Sequence, residues 1–195
     1  MTTASRSQSQ TTQPLPNRHP QSVGELLESR QFLRDQLTHF SNVMLVTYGK
    51  EDSGLHARPM AVAHFDAESP MLTVWFITHI DSTKVAEARS KQRAHVIGQA
   101  SNRFISVSGS VDVVRDQEKI AKLWQTSFEV WFPDGPTDPD VALLAFYPEA
   151  AEVWDSSGLK GIRYMFEAAK ALVTGEAIAE PSPSQNGHRT VDLSD

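Results

Sequence analysis

The 195-residue chain contains no cysteine. That excludes a disulfide framework and thiolate chemistry, and it leaves only His and carboxylates from which a zinc site could be built. Long apolar runs are also missing: nothing approaches the roughly 18 consecutive apolar residues of a membrane-spanning helix. No block of like charge occurs, and 18 basic against 24 acidic residues give a formal net charge of −6, which argues against nucleic acid or an anionic membrane as a partner. The seven histidines, His19, His39, His56, His64, His79, His95 and His188, lack metal-ligand spacing and read as structural or exposed. No nucleophile, triad or carboxylate pair stands out, and no internal repeat is visible.

What is present points to one folded unit with polar ends. Residues 1–20 are rich in Ser, Thr and Gln, have no apolar stretch of the kind a signal peptide needs, and bury too little to offset the entropy of ordering. They read as a disordered tail, and residues 176–195 read the same way. The expectation is a cytoplasmic protein with its domain over residues 21–156 and an amphipathic helix over 157–175. In that helix Ile162, Met165, Phe166, Ala169 and Val173 recur at helical spacing, with Gly175 as its C-cap.

Within the domain, Leu26, Leu33, Leu37 and Phe40 predict an opening amphipathic helix. Six strand segments follow: "NVMLVTYG", "LHARPMAVAHF", "MLTVWFITH", "AHVIGQA", "RFISVSGSVDVV" and "VALLAFYPEAAEVWD". Pro59 cannot donate to a ladder, so the second segment belongs at an edge or a bulge. The last is either a strand pair or one strand broken near Pro148. Asp116 opens a helix whose Ile120, Leu123, Trp124, Phe128 and Trp131 make one apolar stripe, ended by the proline-stiffened "FPDGPTDPD". Strands in hairpin-like succession with short helices around them imply a mainly β, α+β fold built as an antiparallel barrel.

The most informative stretch is "WFITHIDSTKVAEARSK", where a strand gives way to a helix at a cluster of Thr78, Asp81, Ser82, Thr83 and Lys84. A helix start leaves N–H groups unpaired and carries partial positive charge, so it takes either a capping side chain or an anion. Asp81, Ser82 and Thr83 could each cap. Lys84, however, opposes the helix dipole in the first turn and asks for an anionic neighbour. Arg58, just before Pro59, could supply a second cation at the same end of the sheet. Hydroxyls, two cations and helix N–H groups make a phosphate site; the alternative is an ordinary surface pair.

Taken in order, "HARPMA", "VWFITHIDSTKVAEA", "RFISVSGSVDVV" and "LWQTSFEVWFPDGPTDPDVALLAFYPEAAEVWD" resemble the pyridoxamine 5'-phosphate oxidase-like split barrels, in particular their bacterial general stress protein subgroup. The resemblance runs from about Leu26 to Asp155. It implies a six-stranded antiparallel split barrel, a homodimer, and FMN held in clefts between subunits. By position, Arg58 and Lys84 would bind the FMN phosphate with help from Ser82. The backbone and side chains around Pro59, Met60, Phe76, Ile77 and Thr78 would meet the isoalloxazine and ribityl parts, and Trp131 would lie near the flavin or else anchor its helix in the core.

The resemblance also has limits. Where the true oxidases carry a substrate lysine this chain has Ala63, and Phe104 stands where they place a glutamine against the flavin. The clamp for pyridoxamine phosphate and the C-terminal Arg-x-His element have no counterpart. The expectation is therefore flavin binding without pyridoxamine phosphate oxidase activity, serving either an oxidoreductase of unknown small-molecule substrate or a non-catalytic flavin sensor, with FAD or a deazaflavin as alternative cofactors.

Overall fold

The structure, a computed structural model, describes residues 23–49, 54–66, 71–155 and 188–193. Helix α1 (Val23–Leu37) leads into strands β1 (Asn42–Tyr48), β2 (Leu55–Ala61), β3 (His64–Asp66) and β4 (Thr73–His79). Helix α2 (Thr83–Lys91) follows, then β5 (Arg93–Ala100), β6 (Arg103–Val114) and helix α3 (Gln117–Leu123). Two short 3-10 turns (Thr126–Val130 and Gly135–Thr137) precede β7 (Val141–Asp155) and β8 (His188–Asp192). The strands form one antiparallel sheet in the order β2-β1-β5-β6-β7-β4-β3, with β8 paired to β7. This sheet curls into a half-barrel of the split-barrel type.

Side-chain alternation explains both layers of core. Leu45, Val96, Ile105, Val107 and Val153 point into the curl, where Leu33 and Leu37 of α1 and Phe40 just beyond it join them. The segment "MLTVWFITH" is apolar on both faces because both are covered. Val74 and Phe76 face the curl, while Trp75 and Ile77 face outward under Ile120, Leu123, Phe128 and Phe132.

Three expectations need correction. The expected second strand divides at Val62–Ala63, because Val62 N–H donates to Ser41 and Ala63 N–H crosses to Trp75 on β4, so β2 and β3 pair with different neighbours. Second, the helix opened by Asp116 ends at Leu123. Trp124 turns extended, and its ring meets Phe128 and Phe132 edge-on at centroid distances of 5.9 and 6.1 Å, so the aromatic stripe belongs to a 3-10 turn and the bend after it. Third, within the expected tail 176–195, residues His188–Asp192 form a strand that buries Val191 and adds the following Leu193 to the core. With β3 and β8, eight strands stand among the described residues where six were expected.

Strand β7 is continuous across Pro148. The register shifts at Ser108/Gly109, where Gly109 stands opposite Pro148 and Ser108 opposite Ala150, leaving Glu149 as the extra residue of a bulge. Its carbonyl accepts from Leu193 N–H at 2.7 Å. The bulge thus uses the backbone acceptor that the irregularity frees. The N-terminal tail and the helix expected over 157–175 lie outside the described residues.

Candidate functional site

Curling brings β2 and β4, which lie far apart in strand order, to face each other across a cleft. Among the described residues strand β2 pairs only with β1, so the Pro59 that cannot donate sits at a sheet edge, as its chemistry requires. On β4, pairing with β3 stops at Trp75, while among the described residues Phe76–His79 pair only with β7. Trp75 C=O points toward β3, so the N–H and C=O of Ile77, two residues on, face the same way, into the open side. The result is a cleft of about 330 Å³ lined by Asn42, Pro59, Met60, Ala61, Ile77, Thr78, His79, Lys84, Phe128, Trp131 and Phe132.

The junction of β4 with α2 forms its polar end. Ser82 occupies the N-cap position in extended conformation, yet its side chain makes no capping hydrogen bond. Its Oγ lies 3.3 Å from Thr78 Oγ1 instead. No acidic residue occupies the first turn of α2, and Lys84 stands there without an ion pair or side-chain hydrogen bond among the described residues. Partial burial and then the nearby Arg58 push the Lys84 ammonium below its usual range, with Glu87 opposing. An anion at this point would relieve both the repulsion and the unpaired helix start.

Arg58 does not line the cleft. It stands beside the polar end, held on Glu87 one turn beyond Lys84, where one terminal nitrogen donates to Thr47 Oγ1 and the other to Glu87 Oε2 at 2.9 Å. Thr47 donates to the same carboxylate oxygen at 2.5 Å, and His56 Nδ1 pairs with Glu87 Oε1. Burial pushes the Glu87 carboxyl up, but the hydrogen bonds from Thr47 and His56 and the charge of Arg58 outweigh it and hold the group below its ordinary value.

The other end is aromatic. Phe132 is buried and its ring meets His79 at 4.4 Å, while Trp131 is 70 % exposed at the rim. That exposure excludes the core-anchor reading of Trp131. Gln125 Nε2 donates to Ala63 C=O at 2.9 Å and ties this segment to the β2–β3 bend.

The structure therefore gathers Pro59, Met60, Ile77, Thr78, Lys84 and Trp131 around one cleft, with Ser82 hydrogen-bonded to Thr78 at its end. At Phe76 the pleat turns the side chain into the core, fully buried, so that of this residue only the backbone can take part. Ala63 and Phe104, which mark the departure from the oxidases, lie off the cleft wall, Phe104 exposed on β6. Sequence reasoning missed His79 and Phe132, whose tilted ring contact is tertiary, and Thr47 and Glu87. Glu87 carried a signal, since a carboxylate between the buried Val85 and Ala88 of a short helix implies a buried partner.

Comparison with known proteins agrees with this geometry. The family model for "Pyridoxamine 5'-phosphate oxidase like" proteins matches residues 28–179, more than half of the chain. A crystal structure from Jannaschia sp., assigned to general stress protein 26, superposes with a TM-score of 0.59 at 26 % identity, over 87 % of this chain and 99 % of that one. The general stress FMN/FAD binding protein of Xanthomonas citri superposes with a TM-score of 0.56 at 28 % identity, over 67 % of this chain and 91 % of its own. Protein bli-3 of Neurospora crassa is 26 % identical over 111 residues, 52 % of each chain, so the match spans about half the length of that curated relative. With a family match of this extent on a curled antiparallel sheet, the chain belongs to the pyridoxamine 5'-phosphate oxidase-like family.

Proposed function

We propose that this protein binds FMN in the cleft between β2 and β4 and uses it as a flavin-dependent oxidoreductase on a small molecule, without true pyridoxamine phosphate oxidase activity. The observation that carries the reading is Lys84: a partly buried cation with no ion pair among the described residues, at a helix start whose N-cap hydroxyl does not cap. A phosphate monoester supplies the missing negative charge. Pro59, Met60, Ile77 and Phe128 offer apolar walls for a planar ring, and the open backbone of Ile77 offers a donor and an acceptor to its edge. A similar protein from Xanthomonas citri is described as FMN/FAD binding, which supports a flavin as the class of cofactor. When bound, the flavin supplies the redox chemistry, and the protein supplies position and electrostatics.

The reading includes a homodimer in a cytoplasmic setting. The cleft stands at the lower end of the roughly 300–1,000 Å³ of small-molecule sites, so a second subunit would complete its walls. Register places Leu55, Met44, Ile97 and Phe104, all exposed, on the outward face of β2, β1, β5 and β6, an apolar surface suited to a second copy.

The test is the visible absorption spectrum of the purified protein, then titration of stripped protein with FMN, FAD, riboflavin, a deazaflavin and pyridoxal phosphate, with mass measured by light scattering. FMN bound preferentially by a dimer, and reduced by NADH or NADPH with turnover on an added acceptor, is the expected result. A bound but inert flavin makes the protein a sensor or store. Binding of no flavin overturns the reading.

A further inference from the structure

Among the described residues Glu87 is the one buried charged side chain, 1 % exposed. Replacing such an ion by an apolar residue is often neutral or stabilising, so a buried carboxylate is weak evidence of stability and better evidence of a geometric role. Here the geometry is specific. Glu87 Oε2 takes Thr47 Oγ1–H at 2.5 Å and an Arg58 N–H at 2.9 Å, while Thr47 Oγ1 accepts from the other terminal nitrogen of Arg58. The hydroxyl and the carboxylate together grip one side of the guanidinium. A guanidinium has five N–H donors, so the grip leaves donors on Arg58 free to meet a second anion. Lys84 and Glu87 are neighbours three residues apart on α2, so a guanidinium held on Glu87 lies on the side of the helix start where Lys84 stands, and its charge helps to depress the Lys84 ammonium.

We infer that Glu87, through Thr47, is a positioning residue that holds Arg58 ready for the phosphate of the bound ligand and so sets the preference for phosphorylated over unphosphorylated flavin. This rests on the flavin-phosphate reading of the cleft. Glu87 is itself buried and would act on the ligand only through Arg58. A guanidinium fixed before binding loses less freedom when the anion arrives, and only a ligand carrying phosphate benefits.

The experiment compares dissociation constants of FMN and riboflavin for the full-length wild type, Glu87→Gln, Thr47→Val, Arg58→Ala and the Arg58→Ala/Glu87→Gln double variant, with thermal unfolding of each. Glu87→Gln is expected to lower the FMN-to-riboflavin preference at least fivefold while riboflavin affinity stays within twofold. Thr47→Val is expected to move it the same way, and it carries the test if Glu87→Gln does not fold. In the Arg58→Ala background the second substitution is expected to add nothing. An unchanged or increased preference, an equal loss of both ligands, or a further loss in the Arg58→Ala background overturns the inference and leaves the cleft reading standing. A wild type that binds FMN no better than riboflavin overturns the phosphate reading and this inference with it.

Discussion

Ser82 Oγ lies 3.3 Å from Thr78 Oγ1 and caps nothing, although Ser82 holds the N-cap position of α2. The hydroxyl has exchanged a helix N–H for a neighbour across the strand–helix junction. A capping serine costs about 0.5–2 kcal/mol when replaced by alanine. Ser82→Ala is therefore expected to change stability by less than about 0.5 kcal/mol in urea unfolding and to weaken FMN several-fold. A full capping loss with unchanged FMN affinity would return Ser82 to a purely structural role.

Lys84 gives a pH signature. Its ammonium is held below the ordinary lysine range by burial first and Arg58 second. The protonated form is the one a phosphate prefers, so FMN affinity is expected to fall as pH rises through this lowered value, earlier than for an unperturbed lysine. Lys84→Ala should weaken FMN about tenfold or more and abolish that alkaline step, with the fold intact by circular dichroism. Calorimetric titration across the alkaline range reads both effects.

Glu87 governs the acid side. Its folded-state value lies below the unfolded one, so the unfolded chain binds more protons in the interval between them. The resulting stability is fully present above the unfolded carboxyl value of about 4.5 and is lost as pH falls through the folded value. Chemical unfolding between pH 3 and 6 should therefore show a rising limb, and Glu87→Gln should flatten it. An unchanged slope in the variant would assign the acid limb to other carboxylates.

The C-terminal strand makes a stability prediction. Val191 and Leu193 are 2 % and 5 % exposed, and β8 covers the edge of β7 from Ala150 to Trp154. Ending the chain at residue 187 removes both side chains from the core and uncovers a strand edge, which invites pairing between molecules. The truncated protein is expected to melt several degrees lower and to form soluble aggregates visible by size exclusion. A truncated chain as stable and monodisperse as the full one would make β8 dispensable.

Much of this architecture was readable because local pattern and tertiary environment agree. Pro59 announces an edge, the double-sided apolar run of β4 announces cover on both faces, and Ser82 with Lys84 announces a polar helix start. Strand β8 was not readable, since "HRTVDL" offers only Val191 and Leu193 as inward residues and depends on β7 for its backbone partners. Nor was the grip on Arg58, which joins Thr47, His56 and Glu87 from three elements. Periodicity sees neighbours along a chain, and these contacts cross it.

Trp131 and Phe132 show the same limit at one peptide bond. Helical spacing puts Trp131 on the apolar stripe, but the chain leaves the helix at Trp124, and the two side chains exchange roles. Phe132 is 4 % exposed against His79 and Trp124, whereas Trp131 stands at the rim of the cleft. Phe132→Ala is expected to cost about 3–5 kcal/mol. Trp131→Ala should cost less than about 0.5 kcal/mol by the same unfolding measurement. Its effect should fall instead on the ligand: loss of the indole is expected to weaken FMN several-fold and to raise the fluorescence of bound flavin, since a rim tryptophan within contact of the ring quenches it. A large loss of stability in Trp131→Ala, with flavin binding and fluorescence unchanged, would show that the tryptophan supports the fold and that the aromatic wall of the cleft ends at Phe132.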